Sequence, residues 1–105
     1  MNKIDLNGRK AIITGGARGI GYAITERLLG SGASCSLWDR DPERLAAAEK
    51  NLAPSNRVHT VTVDITRPES AEAAAEATFK YFGGIDILVN NAAHQASLGH
   101  RRYHG

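Results

Sequence analysis

The chain has 105 residues, 42% of them hydrophobic and 23% charged, and a net charge of +2. That length allows one small domain, and the mixture excludes a disordered or low-complexity chain. No apolar run reaches the roughly 20 residues of a membrane helix, MNKIDLNGRK lacks the apolar core of a secretory signal, and the single cysteine, Cys35, excludes an intrachain disulfide or a Cys-based metal site. The expectation is a cytoplasmic protein with no membrane partner.

Ala11-Ile12-Ile13-Thr14 is a short apolar run that stops at glycines, the pattern of a buried strand. Ile20, Ile24 and Leu28 recur at helical spacing with Ala23 beside them. They predict a helix from about Arg18 to Leu29, that face turned inward, closed by Gly30-Ser31-Gly32. Ala33 to Trp38 reads as a second strand ending in Asp39, with Cys35 a small buried hydrophobe. Asp41-Pro42 starts a helix, since aspartate caps and proline fits the first turn. Leu45, Ala46, Ala48 and Leu52 form its packing face, and Pro54-Ser55-Asn56 breaks it. Val58 to Val63 alternates apolar and polar residues, a third strand ending in Asp64. Thr66-x-x-Glu69 has the form of a capping box, with Pro68 in the first turn. It opens an Ala/Glu-rich helix through Phe82, ended by Gly83-Gly84. Ile85 to Val89 reads as a fourth strand, buried on both faces. Tyr22 and Tyr81 read as packing residues within helices.

The order β-α-β-α-β-α-β calls for a parallel sheet with right-handed helical crossovers. Residues 1–93 are electrically neutral, whereas HQASLGHRRYHG, residues 94–105, holds Arg101, Arg102, three histidines and no acid. That composition shift divides a folded unit, 1–93, from a basic tail, 94–105. The tail reads as a solvated terminus rather than a nucleic-acid contact. His94, His100 and His104 match no common metal-site spacing.

The stretch TGGARGIG, Thr14 to Gly21, follows a predicted strand and opens a predicted helix. A helix N-terminus offers unpaired N–H groups and partial positive charge, and glycines let a phosphate approach the backbone. Gly15 is placed to make the turn. Gly19 and Gly21 are placed to clear a pyrophosphate and the helix–strand contact. Asp39, closing the next strand, can accept hydrogen bonds from ribose hydroxyls and repels a 2′-phosphate. Asp64, closing the third, can reach an adenine edge or cap the helix beside Thr66, and both readings stand. The competing readings are a glycine-rich turn without a ligand and a surface carboxylate.

TGGARGIG, Asp39, Asp64-Ile65 and Leu88-Val89-Asn90-Asn91-Ala92-Ala93 together resemble the short-chain dehydrogenase/reductase family. The resemblance spans about residues 7–93. It implies a Rossmann-type three-layer α/β fold, present as its N-terminal half. It further implies hydride transfer between a nicotinamide cofactor and an alcohol or carbonyl. The cofactor contacts it implies are Gly15, Arg18, Gly19, Ile20, Gly21, Asp39, Arg40, Asp64, Ile65, Asn90 and Ala92. Asn90 inherits the place beside the cofactor, and Asn91 reads as scaffold. Ala93 departs from the family's glycine. Asp39 favours NAD, while Arg18 and Arg40 leave NADP open.

The family's Tyr-x-x-x-Lys pair, in which a lysine helps lower the tyrosine pKa for proton transfer, is absent from the 105 residues. The chain therefore reads as ending before its catalytic groups and as inactive alone. Its fourth strand is then an open edge, which invites self-association. The alternatives are a non-catalytic dinucleotide-binding module or an inert fragment. An adenosylmethionine-dependent methyltransferase fits less well, because of the GxxxGxG spacing and NNAA.

Overall fold

A computed structural model describes residues 5–91. The predicted tail, 94–105, and the predicted cofactor contact Ala92 lie outside the described residues. The elements are β1 (Lys10–Thr14), α1 (Gly19–Gly30), β2 (Ser34–Asp39), α2 (Pro42–Asn51), β3 (Val58–Thr62), α3 (Pro68–Phe82) and β4 (Ile87–Val89). The strands are all parallel, in the order β3-β2-β1-β4. The alternation predicts the parallel sheet, and the Rossmann-type α/β arrangement is the one the family resemblance implies.

Side chains alternate across the sheet and build two separate cores. On one face Ala11, Ile13, Cys35, Leu37 and Val58 meet Leu29, Leu45, Ala48 and Leu52 from the α1 and α2 segments. On the other face Ile12, Trp38 and Val63 meet Ala74 of α3. Burying one such leucine or isoleucine stabilises by about 1.5–3 kcal/mol, so both faces of β1 and β2 hold the sheet together.

Four expectations need correction. First, α1 does not bury Ile20 and Ile24. Its inward face is Gly21, Thr25 and Leu29, with Ile20 65% exposed. Small residues at the first two positions let the helix lie close to the sheet, and Thr25 returns its hydroxyl to the Gly21 carbonyl at 2.8 Å. Second, Ala46 of α2 is exposed, and only Leu45, Ala48 and Leu52 point inward. Third, no capping box forms at α3. Arg67 is the N-cap, and the Thr66 hydroxyl donates to Asp64 at 2.6 Å, so the nearer carboxylate captures it. Fourth, β4 is not buried on both faces. Ile87 and Val89 pack on the first core, but Leu88 is 63% exposed on the face that α3 covers at Ile12 and leaves open at the edge. Tyr22 packs as expected, whereas Tyr81 is largely exposed and stacks on His59 instead.

Cys35 is fully buried between the strands and α1/α2. Burial pushes its thiol up to about 12, against a small opposing pull from Arg57. A thiol reagent at mildly alkaline pH should therefore leave the folded chain unmodified and label one thiol per chain in denaturant. Labelling of native protein at the rate of a free cysteine would contradict this burial.

Candidate functional site

The C-terminal ends of the parallel strands gather the sequence-predicted residues at one edge of the sheet. This is the edge where open α/β sheets bind ligands. The β1–α1 loop starts at Gly15, in the left-handed region at φ +65°, whose N–H donates to the Trp38 carbonyl at 2.7 Å. That bond carries the β1–β2 ladder into the loop. Gly21, at the start of α1, lies so close to Gly15 that a Cβ there would run into the Gly15 carbonyl oxygen. Gly19 differs: its φ is +58°, and the place a Cβ would take has no atom within 4 Å. The loop is thus tight on its protein side at Gly21 and open at Gly19.

Arg18 is the N-cap of α1, extended and exposed, and its side chain caps nothing. No acidic residue occupies the first turn of α1. The helix therefore presents its first N–H groups with neither a side-chain cap nor an acid in its own first turn. By contrast, Asp41 caps α2 by accepting the N–H groups of Glu43 and Arg44 at 3.0 and 3.3 Å.

Asp39 ends β2 and is only 6% exposed. One carboxylate oxygen accepts the Asp41 N–H at 3.1 Å. The other is buried with no hydrogen-bond partner. A buried acceptor without a donor is costly, and a carboxylate has room for several donors. Its neighbour Arg40 is exposed. Asp64 follows β3 and accepts both the Thr66 hydroxyl and the Thr66 N–H, the latter at 3.0 Å. Those two hydrogen bonds hold its carboxyl below the usual aspartate range, and the charges of Arg40 and Arg67 add to the effect. Asp64 thus closes the turn before α3 rather than capping that helix itself. Ile65 packs against the α3-side core, a structural placement.

Past β4, the Asn90 side-chain oxygen lies 3.4 Å from the Thr14 hydroxyl, which also approaches the Val89 carbonyl at 3.3 Å. Asn91 is buried, with its amide nitrogen unpartnered beside Gly21. Sequence reading left two of these parts without a role. Thr14 bridges β1 to Asn90 across 76 positions, which local spacing does not signal. Gly16 is a second tight point, where a Cβ would meet the Ile13 carbonyl at 2.9 Å and Leu37 at 3.0 Å. It occupies a variable position of GxxxGxG, so the spacing gave it no weight. Among the described residues no cluster of three His, Cys, Asp or Glu can hold a metal ion, and no helix is long and apolar enough to cross a membrane.

The short chain dehydrogenase family model matches residues 9–103. The chain belongs to this family, a family of oxidoreductases, which removes the methyltransferase alternative. It is 42% identical over 88 residues to 3beta-hydroxysteroid dehydrogenase 2 of Eggerthella lenta, covering 83% of this chain and 34% of that protein. It is 39% identical over 88 residues to galactitol 2-dehydrogenase of Agrobacterium fabrum, covering 84% and 34% respectively. The chain spans about one third of the length of these curated relatives. Among solved structures, a short-chain dehydrogenase/reductase (glucose/ribitol dehydrogenase) from Brucella melitensis superposes with a TM-score of 0.78 at 36% identity, over 83% of this chain and 37% of that one. The 3-ketoacyl-(acyl-carrier-protein) reductase of the same organism, complexed with NADH, gives a TM-score of 0.75 at 31% identity, over 80% and 34%.

The contrast between the two glycines is testable by urea unfolding. Gly21→Ala should destabilise by about 3 kcal/mol, because a backbone carbonyl has to move. Gly19→Ala should lose only about 1–2 kcal/mol, the strain of a left-handed alanine in open space. Equal losses for the two variants would contradict the packing described.

Proposed function

We propose that this edge of the sheet binds the adenosine and pyrophosphate of a nicotinamide dinucleotide, with NAD preferred over NADP. On this reading the chain contributes the nucleotide-binding part of an enzyme that transfers hydride to or from an alcohol or carbonyl. The observation that carries it is the unpartnered, buried carboxylate oxygen of Asp39 beside a glycine loop whose helix has no side-chain cap. Two ribose hydroxyls are donors of the kind that carboxylate lacks, and a 2′-phosphate is not. Gly15, Gly19 and Gly21 form the pyrophosphate cradle, with Ile20 and Arg18 on its exposed rim. Asn90, held by Thr14, lies at the far side of the loop, and Asp64 and Arg40 border the adenosine end. The NADH in the Brucella reductase supports the cofactor class. The 105 residues contain no Tyr-x-x-x-Lys for proton transfer.

Calorimetric titration of the chain with NAD and with NADP tests the reading. NAD should bind about tenfold more tightly, a difference of about 1.4 kcal/mol. Asp39→Ala should erase that preference by weakening NAD. Tighter binding of NADP to the unaltered chain would overturn it.

The exposed Leu88 and the pairing of β4 on one side only among the described residues also support association between copies of the chain through this edge. Sedimentation should show a concentration-dependent mass that Leu88→Lys returns to the monomer. A strictly monomeric unaltered chain at all concentrations would count against it.

A further inference from the structure

The α3 side of the sheet holds a string of polar side chains that nucleotide binding leaves unused. Ser36 and Thr78 are fully buried and Trp38 nearly so. The Trp38 indole N–H donates to Ser36 Oγ at 3.1 Å and to Thr78 Oγ1 at 3.2 Å. Thr78 donates its own hydroxyl to the Ala74 carbonyl at 2.9 Å. Ser36 Oγ lies 2.8 Å from His59 Nδ1 and 3.2 Å from Thr78 Oγ1.

The Ser36 hydroxyl has one proton and two neighbours able to accept it. Its contact with His59, at 2.8 Å, is shorter than its contact with Thr78, at 3.2 Å. With the Ser36 proton in that shorter contact, neutral His59 carries its hydrogen on Nε2. A second proton makes Nδ1 a donor as well. Ser36 then has to accept from His59, and its own hydrogen is left to turn to Thr78. Both arrangements leave every member of the string partnered.

We propose that His59, Ser36, Thr78 and Trp38 form a proton-responsive hydroxyl switch, in which protonation of His59 reverses the Ser36 hydrogen bond, draws Ser36 toward Thr78 and re-partners the Trp38 indole. The switch joins β3, β2 and α3. His59 is half-buried, stacked on Tyr81 at 4.3 Å with Phe82 edge-on at 5.7 Å. Around it, α3 presents the Tyr81 phenol, β2 presents Ser36, and α2 contributes the field of Glu49. Burial lowers the His59 pKa from 6.5, and Glu49 partly opposes this. The neutral arrangement thus prevails near neutrality. Because the folded pKa lies below the unfolded one, the associated stability is present above pH 6.5 and is lost as pH falls through the folded value.

Trp38 is the sole tryptophan, so its fluorescence reports the switch directly. Titrating the full chain from about pH 8 to about pH 5 should give a single one-proton transition in emission, matching the His59 ring resonances followed by NMR. His59→Gln should abolish that transition. Ser36→Ala should reduce its amplitude severalfold with the circular dichroism spectrum unchanged. Should Ser36→Ala fail to fold, Thr78→Val, which keeps the side-chain volume but removes the second acceptor, should reduce the amplitude instead. A flat emission while His59 titrates, or a full amplitude in the hydroxyl variant that folds, would overturn the switch.

Discussion

The approach of α1 to the end of β1 governs this edge of the sheet. Gly21 sits against the Gly15 carbonyl with no room for a methyl group between them. That contact sets how deep the helix lies, and so which of its residues face inward. With Gly21 and Thr25 against the sheet, the bulkier Ile20 is turned out to the rim of the loop. The same closeness brings the N-terminal N–H groups of α1 to the strand ends. There the Trp38 carbonyl fixes Gly15, and Asp39 follows directly.

The two faces of the sheet solve burial differently. The α1/α2 side is sealed by aliphatic side chains around Ile13 and Leu37. The α3 side is centred on an indole whose N–H needs an acceptor inside the core. Ser36 and Thr78 supply it, and through Ser36 the core reaches the half-buried imidazole of His59. On the first face the buried titratable group is the Cys35 thiol, pushed up to about 12 by burial. The other contains a titratable ring connected to its largest side chain.

Much of this was legible in the sequence because it is local. Strand runs, the Asp41-Pro42 helix start and the Gly83 stop all depend on residues within a turn of one another, and each is found. The inward face of α1 was misread because hydrophobicity at Ile20 and Ile24 pointed one way, while the space available at Gly15 pointed another; Leu28 alone of the three packs on the core. A periodicity count has no access to that space. The capping box failed for a related reason: Thr66 had two possible partners, and the carboxylate of Asp64 was nearer. Within the candidate site, the glycine spacing and the strand-end acids could be named in advance. The Thr14–Asn90 bridge, the tight point at Gly16 and the unpaired oxygen of Asp39 depend on tertiary packing and could not.

The Thr14 hydroxyl that meets the Val89 carbonyl joins positions 75 residues apart, whereas Ser36 and His59 are separated by 23. Loop entropy makes the longer closure less favourable by about 1 kcal/mol. The β1–β2–β3 portion can therefore zip through neighbouring crossovers, while β4 has to find β1 from the far end of the chain. Asn90 and Asn91 travel with β4, so the underside of the glycine loop is completed by the most distant pairing in the sheet. Gly15 and Gly21 shape the loop through near neighbours in the chain, whereas its floor depends on that long-range pairing.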